Sequence, residues 1–502
     1  MLIQFAVENY RSFRDRCVLS LRASGDVAPD AALFAHIAEV GPVARAVALY
    51  GANASGKSNL LRAMVAGART AVRGTTAADS PLPQQPFKLA LEAGRASVVE
   101  YVYAVGDKVL TYELVTQAGA VLAERLTQNL GGAEIPLFDR KAPDSNGTAS
   151  IAFGPALHHG QDRAAFLEFV AAGTRPNQPL VAEALARNVH ELRWATDWLR
   201  GLADSMPGQF GRDLGSDAEQ HLARSLEDVG QRRTFVEQVV SRADAGIVGV
   251  AIERGPLAGT SLQIRSAETR VRYLQGRSTD VKQQAALFAA QSAAFATDRD
   301  PVRAAKGAAD AAAQAAASAA HAQSLDRELS DANRALAAAV DSARTLRFDH
   351  APSGTATFAL DDESEGTVQL LTLANRLYDA RKTHVPLLVD ELESSLHPHL
   401  ARHLLGLFRE GDRGGRSQII FTTHSPDLLD DSLVPIDGTW FVEKDAGGAS
   451  HLHSLADFDA GQLERLKGQL RQGYLVGRFG GIPLLGDPAE LVAADAVPRG
   501  AP

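Results

Sequence analysis

Eight residues near the start of the chain, GANASGKS at 51–58, constrain its fold more than any other segment. The apolar run 43–50 before them is typical of a strand, and residues 59–64 after them are typical of a helix. A glycine loop in this position directs backbone N–H groups and the helix dipole at an anion. The pattern G-x-x-x-x-G-K-[ST] therefore predicts a phosphate-binding loop (P-loop) in an α/β protein.

The loop residues have predicted roles. Lys57 is expected to reach the β- and γ-phosphates of a nucleotide, and the Ser58 hydroxyl to bind Mg²⁺. The alternative is a glycine-rich turn with an incidental lysine. It is disfavoured because the chain has only 9 lysines and because the loop lies between a strand and a helix. The residues predicted to bind a nucleotide through this loop are Asn53, Ala54, Ser55, Gly56, Lys57, Ser58 and Asn59.

Two short apolar runs late in the chain end in polar residues. Residues 385–389 are followed by Asp390 and Glu391, and residues 418–422 by a threonine and His424. Such runs form buried parallel strands, and ligands bind at their carboxyl ends. Taken alone, these two residues could be exposed acids that start a helix. With a P-loop present, Asp390 is instead predicted to bind Mg²⁺ and Glu391 to act as general base. His424 is predicted to contact the γ-phosphate, against the alternative of a structural histidine.

A fourth segment, DDESEGT at 361–367, precedes the helical run 368–378. Ser364 and Gly366 would offer exposed N–H groups and a favourable dipole to an anion at the start of that helix. Taken alone, the segment is only a capped helix start. Glu393, in the loop after Asp390 and Glu391, is interpreted as a structural acid.

Composition limits the class of protein. The 502 residues carry a net charge of −9 and are 45% hydrophobic, which excludes disorder for most of the chain. The single cysteine, Cys17, excludes a disulfide framework and favours a cytoplasmic location. No leader-like start and no run of about 18 apolar residues is found, so we expect neither export nor a membrane span. The acidic balance disfavours a nucleic-acid-coating surface without excluding a local basic patch.

Hydrophobic periodicity predicts two sheet-forming segments separated by a helical insertion. Residues 1–25 and 98–127 alternate like antiparallel strands. Helical periods follow, with a strand-like interruption at 247–252, and the alanine-rich stretch 302–343 predicts a long helix or one arm of a coiled-coil hairpin. The predicted limits are 1–155 for an N-terminal lobe, 156–345 for the helical insertion, 346–485 for a C-terminal lobe and 486–502 for a disordered tail. Lys57 and Asp390 must meet at one nucleotide, so the two lobes are halves of one head.

Together these motifs resemble an ABC-type ATPase head of the kind found in RecF and SMC proteins. The resemblance implies an α/β fold with a mixed sheet, an antiparallel N-terminal annex plus a parallel P-loop core, interrupted by an α-helical or coiled-coil insertion. The turn NYRSF at 9–13 is similar to the NF-x-SF turn of such heads, which implies that Arg11 lies near the nucleotide. Gln84 and Gln85 are candidates for the lid glutamine, with a plain loop as the alternative.

More narrowly, SEGT at 364–367, DELESSLHP at 390–398, and GYLVGRFGGIP at 473–483 resemble a group of prokaryotic AAA-family ATPases. These include RloA and AbiL-type abortive-infection proteins of phage defence. The resemblance covers about 1–150 and 346–485.

The resemblance also implies a homodimer of heads, or a higher oligomer, that encloses two ATP molecules. Ser364 and Gly366 of one subunit would face the Lys57 loop of another, with Ser395 and His397 in the loop between the sites. The usual signature is Ser-Gly-Gly-Gln, and this chain departs from it at Glu365 and Thr367. We expect Glu365 to point away from the γ-phosphate because its charge would repel it.

Two functions follow from the resemblance. The first is an ATPase sensor or scaffold of an anti-phage system that controls a separately encoded effector, a Toprim or other nuclease, since little chain follows the head. The second is a RecF- or SMC-like DNA repair ATPase that binds DNA directly, which the acidic balance and the short insertion disfavour. An ABC transporter subunit is disfavoured because its heads carry no insertion of this size.

Overall fold

The structure is a computed structural model of the chain. It divides into two compact units, Met1–Gln209 with Arg376–Pro502, and Phe210–Asn375. The lobe limits taken from the sequence stay predictions, and the tail predicted at 486–502 lies outside the described residues. The structure describes residues 1–24, 30–75, 77, 79–89, 94–142, 150–157, 161–205, 216–228, 230–243, 246–254, 262–295, 300–351, 357–411, 415–459, 461 and 468–482.

The first unit contains a seven-stranded antiparallel sheet. Its strands are β1 (Leu2–Glu8), β2 (Cys17–Ser20), β6 (Ser97–Val105), β7 (Lys108–Gln117), β8 (Ala120–Leu130), β9 (Ala133–Lys141) and β10 (Ser150–Phe153). They lie in the order β10-β9-β8-β7-β6-β1-β2. The alternating segments at 1–25 and 98–127 are confirmed as antiparallel strands, with Phe5 opposite Leu19 across the first hairpin. The predicted annex is thus a sheet of its own.

A buried ion pair lies inside this sheet. Glu124 on β8 is directly opposite Arg140 on β9, and both side chains are fully buried. The Glu124 carboxylate accepts hydrogen bonds from the backbone N–H groups of Leu180 and Val181, while Arg140 donates to the carbonyl of Gln178 at 2.6 Å. The pair therefore fixes the start of the helix Leu180–Ala186 against the sheet.

The predicted strand 43–50 is two strands in the structure. β3 (Phe34–Ile37) and β4 (Gly41–Ala44) form a separate hairpin, and β5 (Ala46–Tyr50) begins after Arg45. The Arg45 side chain is fully buried and donates to backbone carbonyls, including that of Ala32 at 2.9 Å. A buried guanidinium with these acceptors interrupts the apolar run where the chain changes sheet.

The P-loop strand belongs to a five-stranded sheet. Its other strands are β14 (Leu387–Val389), β15 (Ile419–Thr422), β16 (Thr439–Lys444) and β17 (Ser450–Ser454). The order is β14-β15-β5-β16-β17, with parallel pairing from β14 to β16 and antiparallel pairing of β17. Every residue of β5, β14 and β15 is buried. This confirms the parallel P-loop core, whose continuous apolar runs fit strands that are covered on both faces.

Helices cover these sheets in the first unit. They are α1 (Lys57–Arg73), α2 (Gln161–Gly173), α3 (Leu180–Ala186), α4 (His190–Asp204), α10 (Pro398–Gly411) and α11 (Leu470–Leu475). α1 lies close to β6, because a Cβ atom on Gly67 would come within 2.3 Å of the Tyr101 hydroxyl. That hydroxyl donates to the Met64 carbonyl at 2.7 Å, so the sheet orients the helix that follows the P-loop.

The second unit contains a helical hairpin and a three-stranded antiparallel sheet. Its elements are α5 (Ser216–Asp228), α6 (Gly230–Ser241), β11 (Ile247–Arg254), α7 (Leu262–Phe295), α8 (Pro301–Ser342), β12 (Arg344–His350) and β13 (Thr357–Ala359). α9 (Glu365–Thr383) runs across the limit between the units. The predicted long helix and strand interruption are confirmed as α8 and β11, and α7 is the other arm of the hairpin. The apolar seam is short, with Val271, Leu274, Leu325 and Ala332 at its centre.

Among the described residues, no helix combines the length and the apolar character that a bilayer span requires.

Candidate nucleotide site

Three segments meet at the carboxyl edge of the five-stranded sheet. The P-loop follows β5, Asp390 and Glu391 follow β14, and His424 follows β15 with one residue between. β15 lies between β14 and β5, and the three strands are parallel. Their carboxyl ends therefore share one edge, as the sequence predicts for these residues.

Two glycines allow the tight path of the P-loop. Gly51 has φ 152° and Gly56 has φ 122°. A Cβ on Gly51 would lie 2.3 Å from the Val442 carbonyl oxygen, and one on Gly56 would lie 2.3 Å from the Ser450 hydroxyl. Asn53 and Ala54 are exposed at the tip of the loop, whereas Ser55 and Gly56 are buried. The loop therefore presents backbone at its tip and has no room for side chains at its two glycines.

Lys57 folds back onto the loop. Its Nζ donates to the carbonyl oxygens of Gly51 at 2.8 Å and Ala52 at 3.0 Å. Burial lowers the pKa of this lysine to about 8, and the nearby charges of Asp390 and Glu391 oppose that shift. A buried ammonium held only by carbonyl dipoles is ready to exchange them for a phosphate anion.

Hydrogen bonds link the P-loop to the acidic segment. The Ser58 hydroxyl donates to Asp390 Oδ1 at 2.8 Å, and the Thr422 hydroxyl donates to the same oxygen at 2.7 Å. The Glu391 N–H in turn donates to the Thr422 hydroxyl at 2.7 Å. Asp390 is buried and Glu391 is exposed with φ 53°. The structure thus brings together the two residues predicted as Mg²⁺ ligands, with the predicted base beside them.

His424 lies at the same edge. Burial and the positive charge of Lys57 lower its pKa, while Glu393, Glu391 and a hydrogen bond to the Gly51 backbone oppose the shift. Its backbone N–H donates to the carboxylate of Glu393. A neutral imidazole next to the P-loop lysine is thus available as a hydrogen-bonding group for a phosphate.

Arg11 adjoins the loop through a side-chain network. Its guanidinium donates to the side chains of Gln85 and, at 3.3 Å, of Asn59, and Asn59 donates to the Ser12 hydroxyl at 3.0 Å. Gln84 instead accepts from the Gly119 N–H at 3.1 Å. Of the two lid candidates, Gln85 is therefore the one joined to the nucleotide-binding segment.

The predicted signature residues belong to the second unit. The Ser364 hydroxyl accepts from the Thr367 N–H at 3.1 Å and so caps α9. Glu365 is an exposed residue in the first turn of that helix. Ser395 is exposed with φ 58°, and the exposed His397 ring stacks on His399 at 5.2 Å.

The structure adds residues that sequence reasoning missed. Thr422 joins Asp390 to the Glu391 backbone by two hydrogen bonds. The only feature of the sequence that could have indicated this role is the position of Thr422 at the end of an apolar strand. Residues 473–482 pack against the loop: a Cβ on Gly481 would lie 3.3 Å from the Gly51 Cα, and the Tyr474 and Tyr50 ring centroids are 5.3 Å apart. The sequence motif gave no sign of this contact. Glu443 fixes this contact by accepting the Gly481 N–H at 2.7 Å.

The residues fit a nucleotide with Mg²⁺. The Ser55 hydroxyl is buried without a hydrogen-bond partner among the described residues, inside the cradle that the two glycines keep open. Ser58 and Asp390 offer hard oxygen atoms of the kind that Mg²⁺ prefers. Lys57 is a cation at the position from which a P-loop lysine would reach the phosphates.

Fold and site together define a nucleotide-binding protein of the P-loop ATPase class. The family described as "AAA domain, putative AbiEii toxin, Type IV TA system" matches residues 46–430, well over half of the chain, and the chain belongs to that family. No curated protein matches the sequence.

Two solved structures are among those to which this chain is similar. The SmcHead bound to the C-winged helix domain of ScpA is 12% identical, with 92% of this chain and 99% of that chain covered and a TM-score of 0.35. The Smc head domain with an extended coiled coil bound to the C-terminal domain of ScpA, from Pyrococcus furiosus, is 10% identical, with 94% and 99% covered and a TM-score of 0.32. At these TM-scores the similarity adds nothing to the fold described above.

Proposed function

We propose that the chain hydrolyses ATP at the carboxyl edge of the five-stranded sheet. The observation that carries the proposal is the 2.8 Å hydrogen bond between Ser58 and Asp390, which are 332 positions apart in the chain. A serine hydroxyl after the P-loop lysine and a carboxylate at the end of a buried strand of the same sheet form the usual Mg²⁺ site of P-loop ATPases. Bound Mg²⁺ supplies positive charge to the phosphates.

The other side chains have separate roles in this proposal. Lys57 releases the Gly51 and Ala52 carbonyls to bind the phosphates, and the exposed Glu391 orients and deprotonates the attacking water. His424 contacts the γ-phosphate. Arg11 and Asn59 line the nucleotide on the side of the Gln85 loop.

The test is ATP hydrolysis by the purified chain with Mg²⁺, together with binding of a fluorescent ATP analogue. Lys57→Ala should weaken binding at least tenfold and abolish turnover, because it removes the buried cation. The matched control is Lys108→Ala. Lys108 begins β7 of the antiparallel sheet, and its Nζ lies over the Trp194 ring of α4 and not at the P-loop. Equal binding by wild type and Lys57→Ala would refute the site.

We further propose that heads act in pairs, with Ser364 and Gly366 of one subunit completing the site of another, in an anti-phage system of the RloA or AbiL kind. The family description, which names an AbiEii toxin and a type IV TA system, supports a role in such systems. ATP hydrolysis would then switch a separately encoded effector of the nuclease class.

Affinity purification from the native host, in the presence of ATP, tests the partner proposal. A second protein at stoichiometric amount is expected, and recovery of the chain alone would contradict effector control. Addition of DNA to the ATPase assay separates the RecF- or SMC-like alternative, because several-fold stimulation would favour direct DNA binding.

A further inference from the structure

Glu393 lies at the centre of the site, yet neither the metal nor the base role falls to it. One carboxylate oxygen accepts the backbone N–H of His424. The other oxygen is buried and has no hydrogen-bond partner among the described residues. A buried carboxylate oxygen without a donor costs free energy, so this arrangement calls for a physical reason.

A second buried group at this edge of the sheet is also unpaired. The Tyr50 hydroxyl is also buried and also lacks a partner within the described parts of the chain. Leu49 pairs with Thr422, so Tyr50 and the loop that carries His424 leave neighbouring strands at the same level. Burial and, after it, the charge of Glu393 raise the pKa of Tyr50. The Tyr50 ring is held by Tyr474 and by Phe441, at centroid distances of 5.3 and 5.9 Å.

The two groups that face Glu393 belong to two different segments of the nucleotide site. Tyr50 is the last residue of β5 and directly precedes Gly51 of the P-loop. His424 is in the loop after β15, the strand next to β5. A single carboxylate that accepted from both would fix the beginning of the P-loop and the His424 loop relative to each other.

We propose that Glu393 is a positioning residue for the nucleotide reaction: one oxygen holds the His424 N–H, and the other is kept available as the acceptor that the Tyr50 hydroxyl takes up during the reaction. This proposal rests on the proposed ATPase function for its kinetic consequence only. Both neighbours are donors, and a carboxylate offers two acceptor oxygens, whereas glutamine offers one. Glutamine should therefore keep one of the two links and alanine neither.

The test compares Glu393→Ala, Glu393→Gln and Tyr50→Phe with wild type. The control is Asp437→Asn, because Asp437 also accepts a backbone N–H, from Ser24 at 2.6 Å, but at the amino end of β16, the opposite edge of the sheet. Two measurements are made on each protein: amide hydrogen exchange of the segment containing His424 without nucleotide, and kcat and KM for Mg-ATP hydrolysis.

In Glu393→Ala, exchange at His424 should be about tenfold faster and kcat about tenfold lower, as loss of one charge-assisted hydrogen bond implies, with KM within about threefold of wild type. Glu393→Gln should restore slow exchange and most of kcat. Tyr50→Phe should lower kcat about threefold and leave exchange at His424 unchanged, because it removes only the second link. Asp437→Asn should match wild type in both measurements.

Unchanged exchange and unchanged kcat in Glu393→Ala would overturn the proposal, even if that variant melts at a lower temperature. Complete loss of hydrolysis in Glu393→Gln with normal exchange would also overturn it, since Glu393 would then be the base. If Glu393→Ala does not fold, wild-type kcat in Tyr50→Phe rejects the second link. If the wild type hydrolyses no ATP, the proposed function fails, whereas hydrogen exchange still decides whether Glu393 holds His424.

Discussion

The two large sheets of the first unit differ in where their charged and polar side chains lie. The five-stranded sheet has short strands, and three of them, β5, β14 and β15, are buried along their whole length. Its reactive side chains, such as Asp390 and His424, lie just beyond the strand ends. The seven-stranded sheet has strands of up to 11 residues and carries a charged pair, Glu124 and Arg140, within its interior.

The difference indicates where chemistry and stability reside. At the edge of the parallel sheet, Lys57 donates to two backbone carbonyls and can exchange them for a ligand. In the antiparallel sheet, Glu124 is closed in by Tyr112, Arg140 and the start of α3. Substitutions at the edge should therefore change activity at little cost in stability, and substitutions in the antiparallel sheet should do the reverse.

The largest expected effect is on hydrolysis in Glu391→Gln. Loss of a general base should lower kcat by about a thousandfold, while ATP binding persists because Lys57, Ser58 and Asp390 are unchanged. The variant should accumulate as an ATP-bound closed oligomer, measurable by light scattering. Its unfolding midpoint in urea should equal that of wild type, because the side chain is exposed.

The control for this variant comes from the other sheet. Glu134→Gln removes an equally exposed carboxylate that pairs with Arg125 at 3.6 Å on the antiparallel sheet. It should hydrolyse ATP at the wild-type rate. Normal turnover in Glu391→Gln would show that Glu391 is not the general base. It would also contradict the expectation that substitutions at the edge of the five-stranded sheet change activity.

The next largest effect is on stability in Glu124→Ala. Removing one partner of a buried ion pair leaves the Arg140 charge uncompensated and two backbone N–H groups of α3 without their acceptor, which should cost about 3 kcal/mol. Glu124→Gln should cost less because an acceptor oxygen remains. Urea unfolding gives the loss, and ATP affinity per folded molecule should stay unchanged. A wild-type midpoint in Glu124→Ala would show that the pair anchors nothing.

The sequence predicted one of these sheets better than the other. The P-loop, the acids after β14 and the histidine after β15 follow rules of local spacing, so residues far apart in sequence could be assigned to one edge. The partners of Glu124 could not be predicted, because α3 supplies two of them and strand alternation indicates only which face a residue occupies. Arg45 was missed for a similar reason, since most of its acceptors are backbone carbonyls, which leave no trace in composition. Glu393 was interpreted as a structural acid, but its donor, the His424 backbone N–H, could not be predicted.

The smallest expected effect is the pH dependence of nucleotide affinity. Burial lowers the pKa of Lys57 to about 8, so the folded chain loses this charge as pH rises through 8 while the unfolded chain keeps it to about 10.5. The cost of burying the charge is therefore relieved as pH rises from about 8 to about 10.5, and stability increases over that window. ATP affinity should change in the opposite direction. Measured without Mg²⁺, it should weaken by up to about tenfold between pH 7 and pH 9, since one pH unit above its pKa only about a tenth of the lysine is charged.

Two variants refine this measurement. Lys57→Met should bind ATP weakly and with no decline over the same range, because the titrating group is gone. Glu124→Gln should retain the full decline, because its carboxylate lies in the other sheet and does not face the P-loop lysine. An identical decline in wild type and Lys57→Met would assign the titration to another group. ATP affinity at the sheet edge would then not depend on the charge of Lys57.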